Sequence, residues 1–308
     1  KWEAYTTWLS GFALFVVVYF VHPQTYLVDP SVAKLESWQA IAIAVGGLVL
    51  AWVVYDLLCR FLGKDEWLLA IAVFAFVVLS AYAASQLFAA RAAFLEVGAM
   101  LGTIMAANVF FVIIPAHWKL VHVKEAGEAP DPKWNARGKQ RSVHNNYLTL
   151  PVLFAMLSGH FPFTYGHAHA WVVLLCLMAI GAWVRHFFNL RHQGRDAWWI
   201  LASAAVALVA LAIWLRPSSP AVAAGPAPSF AQVQAVVNQR CVPCHSLHPT
   251  MPGVPAAPAG VYLDGPDKIR TLAGAIKTAV RDRVMPPSNA THITDDERAL
   301  LARWVVGR

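Results

Sequence analysis

Two cysteines and a histidine near the C-terminal end form the most specific chemical motif in the chain. They stand in the run Cys241-Val242-Pro243-Cys244-His245. The spacing Cys-x-x-Cys-His is the attachment signature of c-type haem, in which both thiols bind the porphyrin and the histidine ligates the iron. A redox dithiol would need a βαβ setting and a zinc site a second pair of ligands, and the sequence offers neither. The motif therefore predicts one covalent haem c.

A low-spin haem needs a second axial ligand, and methionine fills this role in cytochromes c. Two methionines follow the motif, Met251 and Met285. Met251 comes only six residues after His245, which is too close to reach the opposite haem face easily. Met285 precedes two prolines, which favour a rigid non-helical segment. We therefore predict His245 and Met285 as the iron ligands.

Two predicted helices flank this motif. The first covers about Phe230–Arg240 and ends at the first cysteine. The second follows the capping box Thr294-Asp295-Asp296-Glu297, and its apolar residues Leu300, Leu301 and Trp304 would pack on the first helix. Residues 230–308 therefore resemble a small class I cytochrome c.

The rest of the chain is strongly apolar. Hydrophobic residues make up 58% of the sequence and charged residues 13%, against about 25% charged in a soluble domain. We predict an all-α fold, a polytopic transmembrane helical bundle (1–215) followed by a Pro/Ala-rich linker (216–229) and the cytochrome domain (230–308). Seven stretches are long enough to cross a bilayer: Trp2–Val21, Trp38–Cys59, Trp67–Phe88, Ala92–Pro115, Asn145–Phe161, Ala168–Asn189 and Ala197–Leu215.

The distribution of lysine and arginine predicts the orientation of these spans. Eleven of these residues flank the spans on one side and three on the other. The positive-inside rule places the richer side in the cytoplasm. We therefore expect a multi-pass protein of the bacterial inner membrane with a periplasmic cytochrome domain. In such a chain the net charge of +7 says little about nucleic acid, and we expect no nucleic-acid partner.

A cluster of polar residues lies at the cytoplasmic ends of spans five and six. Adjacent antiparallel spans would bring them into one pocket, suited to a planar anion with several N–H and C=O groups. The alternative is an interfacial anchor, in which long side chains reach for water. The set is His144, Asn145, Asn146 and Thr149 on span five and Arg185, His186, Asn189 and Arg191 on span six.

Four histidines lie on the opposite side of the spans. Paired histidines at one depth could bind a haem b or a metal, although single interfacial histidines are usually just solvated. They are His22, His160, His167 and His169.

Two long runs carry a family resemblance. Residues 138–151 and 185–192 resemble the membrane-bound urate oxidase family, also called cytochrome c urate oxidase or urate hydroxylase, with its fused C-terminal cytochrome c. Residues 2–8 and 108–115 fit the same family. The family has a further transmembrane helix before the position of Lys1, so we expect an additional span upstream.

The resemblance implies oxidation of urate to 5-hydroxyisourate in purine catabolism. Water supplies the hydroxyl, and electrons pass to haem c and a respiratory acceptor rather than forming hydrogen peroxide. The guanidinium groups of Arg185 and Arg191 suit the urate anion. The side-chain amides of Asn145, Asn146 and Asn189 suit its polar edges. The imidazole of His144 or His186 suits a general base.

Two other functions fit parts of the pattern. One is a membrane-anchored cytochrome c electron carrier feeding a terminal oxidase, although seven spans are more than an anchor needs. The other is a haem-linked transporter. The urate-oxidase hypothesis itself has one difficulty, because about 30 Å of hydrocarbon separates a cytoplasmic pocket from a periplasmic haem. Either the substrate lies deeper in the membrane, or a second redox centre lies between the pocket and the haem.

Overall fold

The computed structural model describes residues 2–216 and 227–304. Most of the predicted linker, 217–226, and the last four residues of the predicted cytochrome domain, 305–308, lie outside the described residues. Helices dominate the part that is described, and it contains no β-strand. The predicted all-α fold class is thus confirmed.

The segment before the linker is a bundle of helices. In chain order they are α1 (Trp2–Phe15), continued by a π-helical turn (Val16–Phe20), α2 (Pro23–Tyr26), α3 (Ser37–Leu62), α4 (Glu66–Leu87), α5 (Ala90–Asn108), a second π-helical turn (Val109–Ile113), α6 (Ile114–Glu125), α7 (Pro132–Leu157), a 3-10 turn (Ser158–His160), α8 (Pro162–Tyr165), α9 (Ala170–His192) and α10 (Trp199–Trp214).

Five helices among the described residues are long and apolar enough to cross a membrane. They are Trp2–Phe20, Ser37–Leu62, Glu66–Leu87, Ala90–Glu125 and Ala170–His192. The other two predicted spans are also helical, but α7 begins with a charged half and α10 has only 16 residues. These lengths are compatible with a multi-pass membrane protein.

The fourth predicted span continues beyond its expected end at Pro115. The helix runs without a break from Ala90 to Glu125. Pro115 falls in the first turn of α6, directly after a π-helical turn. A proline is tolerated in a first turn, where its missing N–H and its ring do little harm.

Helix α5 forms the centre of the bundle and contacts α3, α4 and α7, while α7 also contacts α9. Two glycines allow the close approaches to α7. A Cβ on Gly98 would lie 2.7 Å from the Cβ of Ala155, and one on Gly181 would lie 3.2 Å from the Cβ of Leu150. Small residues at such crossings let membrane helices pack through their backbones.

The C-terminal unit comprises α11 (Phe230–Arg240), α12 (Pro266–Thr271), α13 (Ala273–Arg281) and α14 (Asp295–Arg303), with 3-10 turns at Pro258–Gly260 and Pro287–Asn289. Capping boxes open α11 at Ser229 and α14 at Thr294. The predicted packing of α14 on α11 is observed, since Leu301 and Trp304 share one buried core with Val233 and Val237.

This unit contacts one end of the bundle. We call this the outer end; it contains His22–Tyr26, the start of α5 and residues 158–169. The opposite end, with Arg60 and residues 119–141, is the inner end. Ser288 Oγ donates to the Tyr26 carbonyl at 2.9 Å, and Thr25 Oγ1 donates to the Pro252 carbonyl at 3.3 Å. The His22 ring packs against Gly253, where a Cβ would lie 2.6 Å from the His22 Cγ.

Candidate functional site

The haem-attachment motif is folded into a single turn after α11. The amides of Cys244 and His245 both donate to the Cys241 carbonyl, at 3.1 and 2.9 Å. His245 Nδ1 lies 3.1 Å from the Val261 carbonyl oxygen. A hydrogen bond from Nδ1 fixes the ring and leaves Nε2 to bind iron, as in most metal-ligating histidines. The two free thiols and this imidazole fit a covalently attached haem.

The environment of the two thiols differs from that of a redox-active pair. Burial, with a smaller effect from Cys244, raises the pKa of the Cys241 thiol to about 11. Burial also raises the pKa of Cys244. Thioredoxin-like motifs need a lowered thiol pKa instead.

The two candidate methionines occupy different settings. Met285 is held by its backbone, because its carbonyl accepts a 2.9 Å hydrogen bond from Arg298 Nη1 and its amide donates to Ala279. Met251 instead lines a cleft of about 480 Å³ together with His22 at the outer end of the bundle. Met285 as the second iron ligand stays a prediction.

At the inner end, an ion-pair network joins α3 to α7. Arg141 Nη2 lies 2.6 Å from Asp56 Oδ1, and both side chains are at least nine-tenths buried. The other carboxylate oxygen of Asp56 lies 2.6 Å from Arg60 Nε, which reaches solvent. Arg141 also lies over the Tyr55 ring, with its Cζ 4.9 Å from the centroid. The buried carboxylate is therefore neutralised from two sides.

The same network extends through amides and a phenol. Asn108 Nδ2 donates to Tyr55 Oη at 3.1 Å and to Asn145 Oδ1 at 2.9 Å. Asn145 Nδ2 in turn donates to the Met105 carbonyl at 2.9 Å. Tyr55 Oη lies 2.7 Å from His144 Nδ1. Because the phenol oxygen already accepts from Asn108, its proton is free to point at the imidazole. The predicted site residues His144 and Asn145 thus face α3 and α5.

The next two residues of α7 face α9 instead. Arg185 Nε donates to Asn146 Oδ1 at 2.7 Å, and Tyr147 Oη lies 2.6 Å from His186 Nδ1. The structure therefore brings Asn146 together with Arg185, but it places this pair and the His144–Asn145 pair on different faces of α7.

Among the described residues, the remaining members of the predicted pocket make no hydrogen bond to the side chains of either pair. Thr149 is exposed, and its hydroxyl donates to the carbonyl of Asn145 within its own helix. The Arg191 guanidinium lies over the Trp198 ring, 5.5 Å from its centroid, which is typical of an interfacial anchor. Asn189 is half-buried on α9.

Sequence reasoning missed Asp56, Tyr55 and Arg141 as members of the inner network. A signal was available, since Asp56 is an acidic residue inside a predicted span and such residues are costly unless paired. Arg141 supplies that partner one turn before Asn145. The face on which each side chain falls could not be read without the packing of α7.

The four outer histidines are dispersed. His167 and His169 have ring centroids 5.9 Å apart, whereas His22 packs on the C-terminal unit and His160 ends a 3-10 turn. Within residues 2–216 and 227–304, no group of three or more His, Cys, Asp or Glu side chains could hold a metal ion. A second haem or a metal here stays a prediction.

Comparison with protein families identifies the family to which the helical bundle belongs. The family model described as Urate oxidase N-terminal matches residues 1–216. The chain belongs to the urate oxidase N-terminal family. No curated protein and no solved structure matches it.

The family match indicates a urate-related oxidoreductase. It covers the whole bundle, including both polar ends, and stops before the C-terminal unit. The helices around α5 therefore belong to the part of the chain that matches the urate oxidase family. The haem-attachment motif lies in the part that follows.

Proposed function

We propose that this chain oxidises urate to 5-hydroxyisourate and transfers the electrons to a haem c bound through Cys241, Cys244, His245 and Met285. One observation carries the proposal. The C-terminal unit with its Cys-x-x-Cys-His turn contacts the outer end of a bundle that belongs to a urate oxidase family. Substrate oxidation and electron acceptance would thus be joined in one chain.

The overall chemistry sets what the residues must do. The urate monoanion and one water give 5-hydroxyisourate, one proton and two electrons. When bound, haem c supplies a one-electron acceptor at the outer end, from which a respiratory acceptor is reduced without formation of hydrogen peroxide. The chain itself must hold a planar anion, orient its C5 towards water and accept a proton.

The sequence suggests the inner residues for these tasks, and that placement remains one hypothesis. Arg185 is the best-placed cation there, since its guanidinium already contacts an amide of α7. His186 is the corresponding base candidate, although its Nδ1 is hydrogen-bonded to Tyr147. A substrate at the inner end would be far from the haem for electron transfer, because about 30 Å of hydrocarbon separates the inner end from the outer end.

The test is reduction of the haem by urate alone. The purified full-length chain is mixed with urate without oxygen, and the haem absorption spectrum is followed. We expect reduction in the absence of any other protein, and catalytic loss of urate absorbance when ferricyanide is added. An electron carrier or a transporter would show no urate-dependent reduction, and that result would refute the proposal.

Two variants test the axial ligands in the same preparation. Met285→Ala should abolish the near-infrared sulfur-to-iron band and lower the reduction potential, because the thioether stabilises the ferrous state. Met251→Ala is the matched control and should leave both unchanged. The opposite pattern would assign Met251 instead.

The proposed location is the bacterial inner membrane with the cytochrome unit in the periplasm. Five long apolar helices and the excess of cationic residues at the inner end support it. Protease added to intact spheroplasts should release a haem-stained fragment of residues 230–308. Protection of that fragment would reverse the orientation.

A further inference from the structure

Two polar side chains at the outer end bury atoms that have no partner. Tyr19 is 3% exposed, and its hydroxyl makes no hydrogen bond with any described residue. The Nε of Arg91 is likewise buried without a partner among the residues the structure describes. Phe94 stands one turn after Arg91 on α5 and packs on the Tyr165 ring, and Tyr19, Phe94 and Tyr165 belong to one buried core. Tyr19, Arg91 and Tyr165 therefore form one cluster, which we call the outer cluster.

Such an arrangement is costly unless something completes it. A buried polar group without a hydrogen bond loses its hydration and gains nothing in return. Native proteins usually satisfy such groups with protein, water or a ligand. The groups without a partner here are one N–H of the Arg91 guanidinium, which only donates, and the Tyr19 hydroxyl, which donates or accepts. These groups suit a partner that is rich in hydrogen-bond acceptors and carries negative charge.

The surroundings of the outer cluster favour a flat partner. The Phe15 ring lies 5.0 Å from the Tyr19 ring, and the Phe94 ring lies 6.3 Å from the Tyr165 ring, measured between centroids. Both phenylalanines are more than nine-tenths buried. Aromatic rings beside both phenols suit a planar aromatic anion, because such a ring can stack on them while its edges accept hydrogen bonds.

The backbone beside Arg91 also leaves room for the guanidinium. A Cβ on Gly159 would lie 3.3 Å from both Nε and Nη2 of Arg91. The side chain therefore lies against the backbone of the Ser158–His160 turn.

The outer cluster lies at the end that contacts the haem-binding unit. Helix α5, which begins at Ala90, contacts the Pro287–Asn289 turn, and this turn starts two residues after Met285. The same turn is hydrogen-bonded to Tyr26. A substrate held by Arg91 would therefore not be separated from the C-terminal unit by the thickness of the bilayer.

We propose that Arg91, Tyr19 and Tyr165 bind the urate anion at the outer end of the bundle. This inference rests on the proposed function and adds the place of its substrate. Arg91 would donate to acceptors on one edge of urate, and the two phenols would meet its remaining polar edges. The competing occupant with the same anionic chemistry is a lipid phosphate.

The decisive variant is Tyr19→Phe, because it removes only the unpartnered hydroxyl. If that hydroxyl serves no ligand, its removal leaves the protein equally or more stable and urate kinetics unchanged. If it binds urate, the KM should rise about tenfold with little change in kcat, as expected for the loss of one hydrogen bond to an anion.

Arg91 is tested with two substitutions and a matched control. Arg91→Gln should raise the KM at least about thirtyfold, and Arg91→Lys should rescue little because an ammonium lacks the planar fork. Arg216 is exposed at the same end of the bundle, so Arg216→Gln should leave the KM unchanged.

A binding measurement without turnover separates substrate binding from electron transfer. Dithionite-reduced protein cannot accept electrons, so equilibrium dialysis with radiolabelled urate reports affinity alone. We expect the dissociation constant to rise in parallel with the KM in both variants. The measurement is repeated in detergent and in nanodiscs containing phosphatidylglycerol, and a lipid phosphate at this site would make urate affinity fall in the nanodiscs.

The outcomes distinguish the two proposals. Absence of urate-dependent haem reduction in the unaltered protein refutes the proposed function. Normal reduction in that protein, together with unchanged KM and dissociation constant in Tyr19→Phe and Arg91→Gln, refutes only the outer placement of urate.

Discussion

The inner and outer ends of the bundle differ in how they accommodate buried polar side chains. At the inner end, Asp56 is paired with two arginines, and Asn108 bridges Tyr55 and Asn145. At the outer end, the Tyr19 hydroxyl and the Arg91 Nε have no partner among the described residues. Both ends therefore contain arginine, tyrosine and aromatic neighbours, but the side chains of the inner network find hydrogen-bond partners within the chain, whereas two atoms of the outer cluster do not.

This difference suggests different roles for similar residues. A network whose groups satisfy each other ties helices together and leaves little for a substrate to bind. A cluster with unused donors carries a free-energy cost that a ligand can offset. Sites prepared for a ligand often retain such local destabilisation. The comparison therefore supports a stabilising role for the inner network and the proposed binding role for the outer cluster.

The largest expected effect comes from breaking the inner ion pair. Arg141→Met leaves the buried Asp56 with only the exposed Arg60 as a partner. Removal of one member of a buried pair typically costs about 3–5 kcal/mol of folding free energy. We expect a clear fall in the thermal unfolding temperature of the purified protein, measured by intrinsic tryptophan fluorescence.

Two controls test whether this effect reflects the pairing. The double change Asp56→Leu with Arg141→Met removes both charges and should recover much of the loss, because no charge is left buried and unpaired. Arg91→Met should lower the unfolding temperature little or raise it, since Arg91 forms no ion pair with any described residue. An equal fall in unfolding temperature for Arg91→Met and Arg141→Met would refute the proposed difference in role between the two ends.

A smaller effect is expected from the contact between the outer end and the cytochrome unit. Gly253 has a φ of +81°, and a Cβ there would lie 2.6 Å from the His22 Cγ. Gly253→Ala should therefore weaken the contact and slow urate-dependent haem reduction about tenfold, corresponding to about 1.4 kcal/mol. Haem content and reduction by dithionite should stay unchanged.

Gly260 provides the matched control for backbone strain. It also has a positive φ, of +65°, but nothing lies within 4 Å of a Cβ built there. Gly260→Ala should therefore introduce the same backbone strain without disturbing the contact with His22. Its rate of urate-dependent haem reduction should stay near normal. His22→Ala combined with Gly253→Ala should restore part of the rate. If Gly260→Ala slows reduction as much as Gly253→Ala, the contact with His22 is not the cause.

Local sequence signals predicted the helices better than they predicted the site. Helix α11 spans the expected Phe230–Arg240, because a capping box begins it and the haem-attachment turn follows it. The polar run of α7 also stands out in the sequence. Its consecutive residues nevertheless point to different neighbours, and the choice between α3, α5 and α9 depends on helix rotation, which only tertiary packing determines.

The outer cluster shows a second reason why sequence reasoning is incomplete. Tyr19, Arg91 and Tyr165 come from three distant segments, and each looks like an ordinary interfacial residue. Their significance depends on burial and on the absence of partners for Tyr19 and Arg91 among the described residues, and a sequence records neither. The cysteine motif differs because its chemistry is encoded within five consecutive residues.

The smallest expected effect tests the two placements of the substrate most directly. Arg185 is half-buried and donates one 2.7 Å hydrogen bond to Asn146. Arg185→Ala should cost about 1.5 kcal/mol of stability or less, because one bond is lost and the partner amide is partly accessible to water. With urate bound at the outer end, we expect the KM and kcat for urate to change less than about threefold in Arg185→Ala.

Asn146→Ala is the matched control, because it removes the acceptor of the same hydrogen bond, and it should behave like Arg185→Ala. A loss of tenfold or more in Arg185→Ala but not in Asn146→Ala would mean that the guanidinium itself contacts urate, and the substrate would then lie at the inner end.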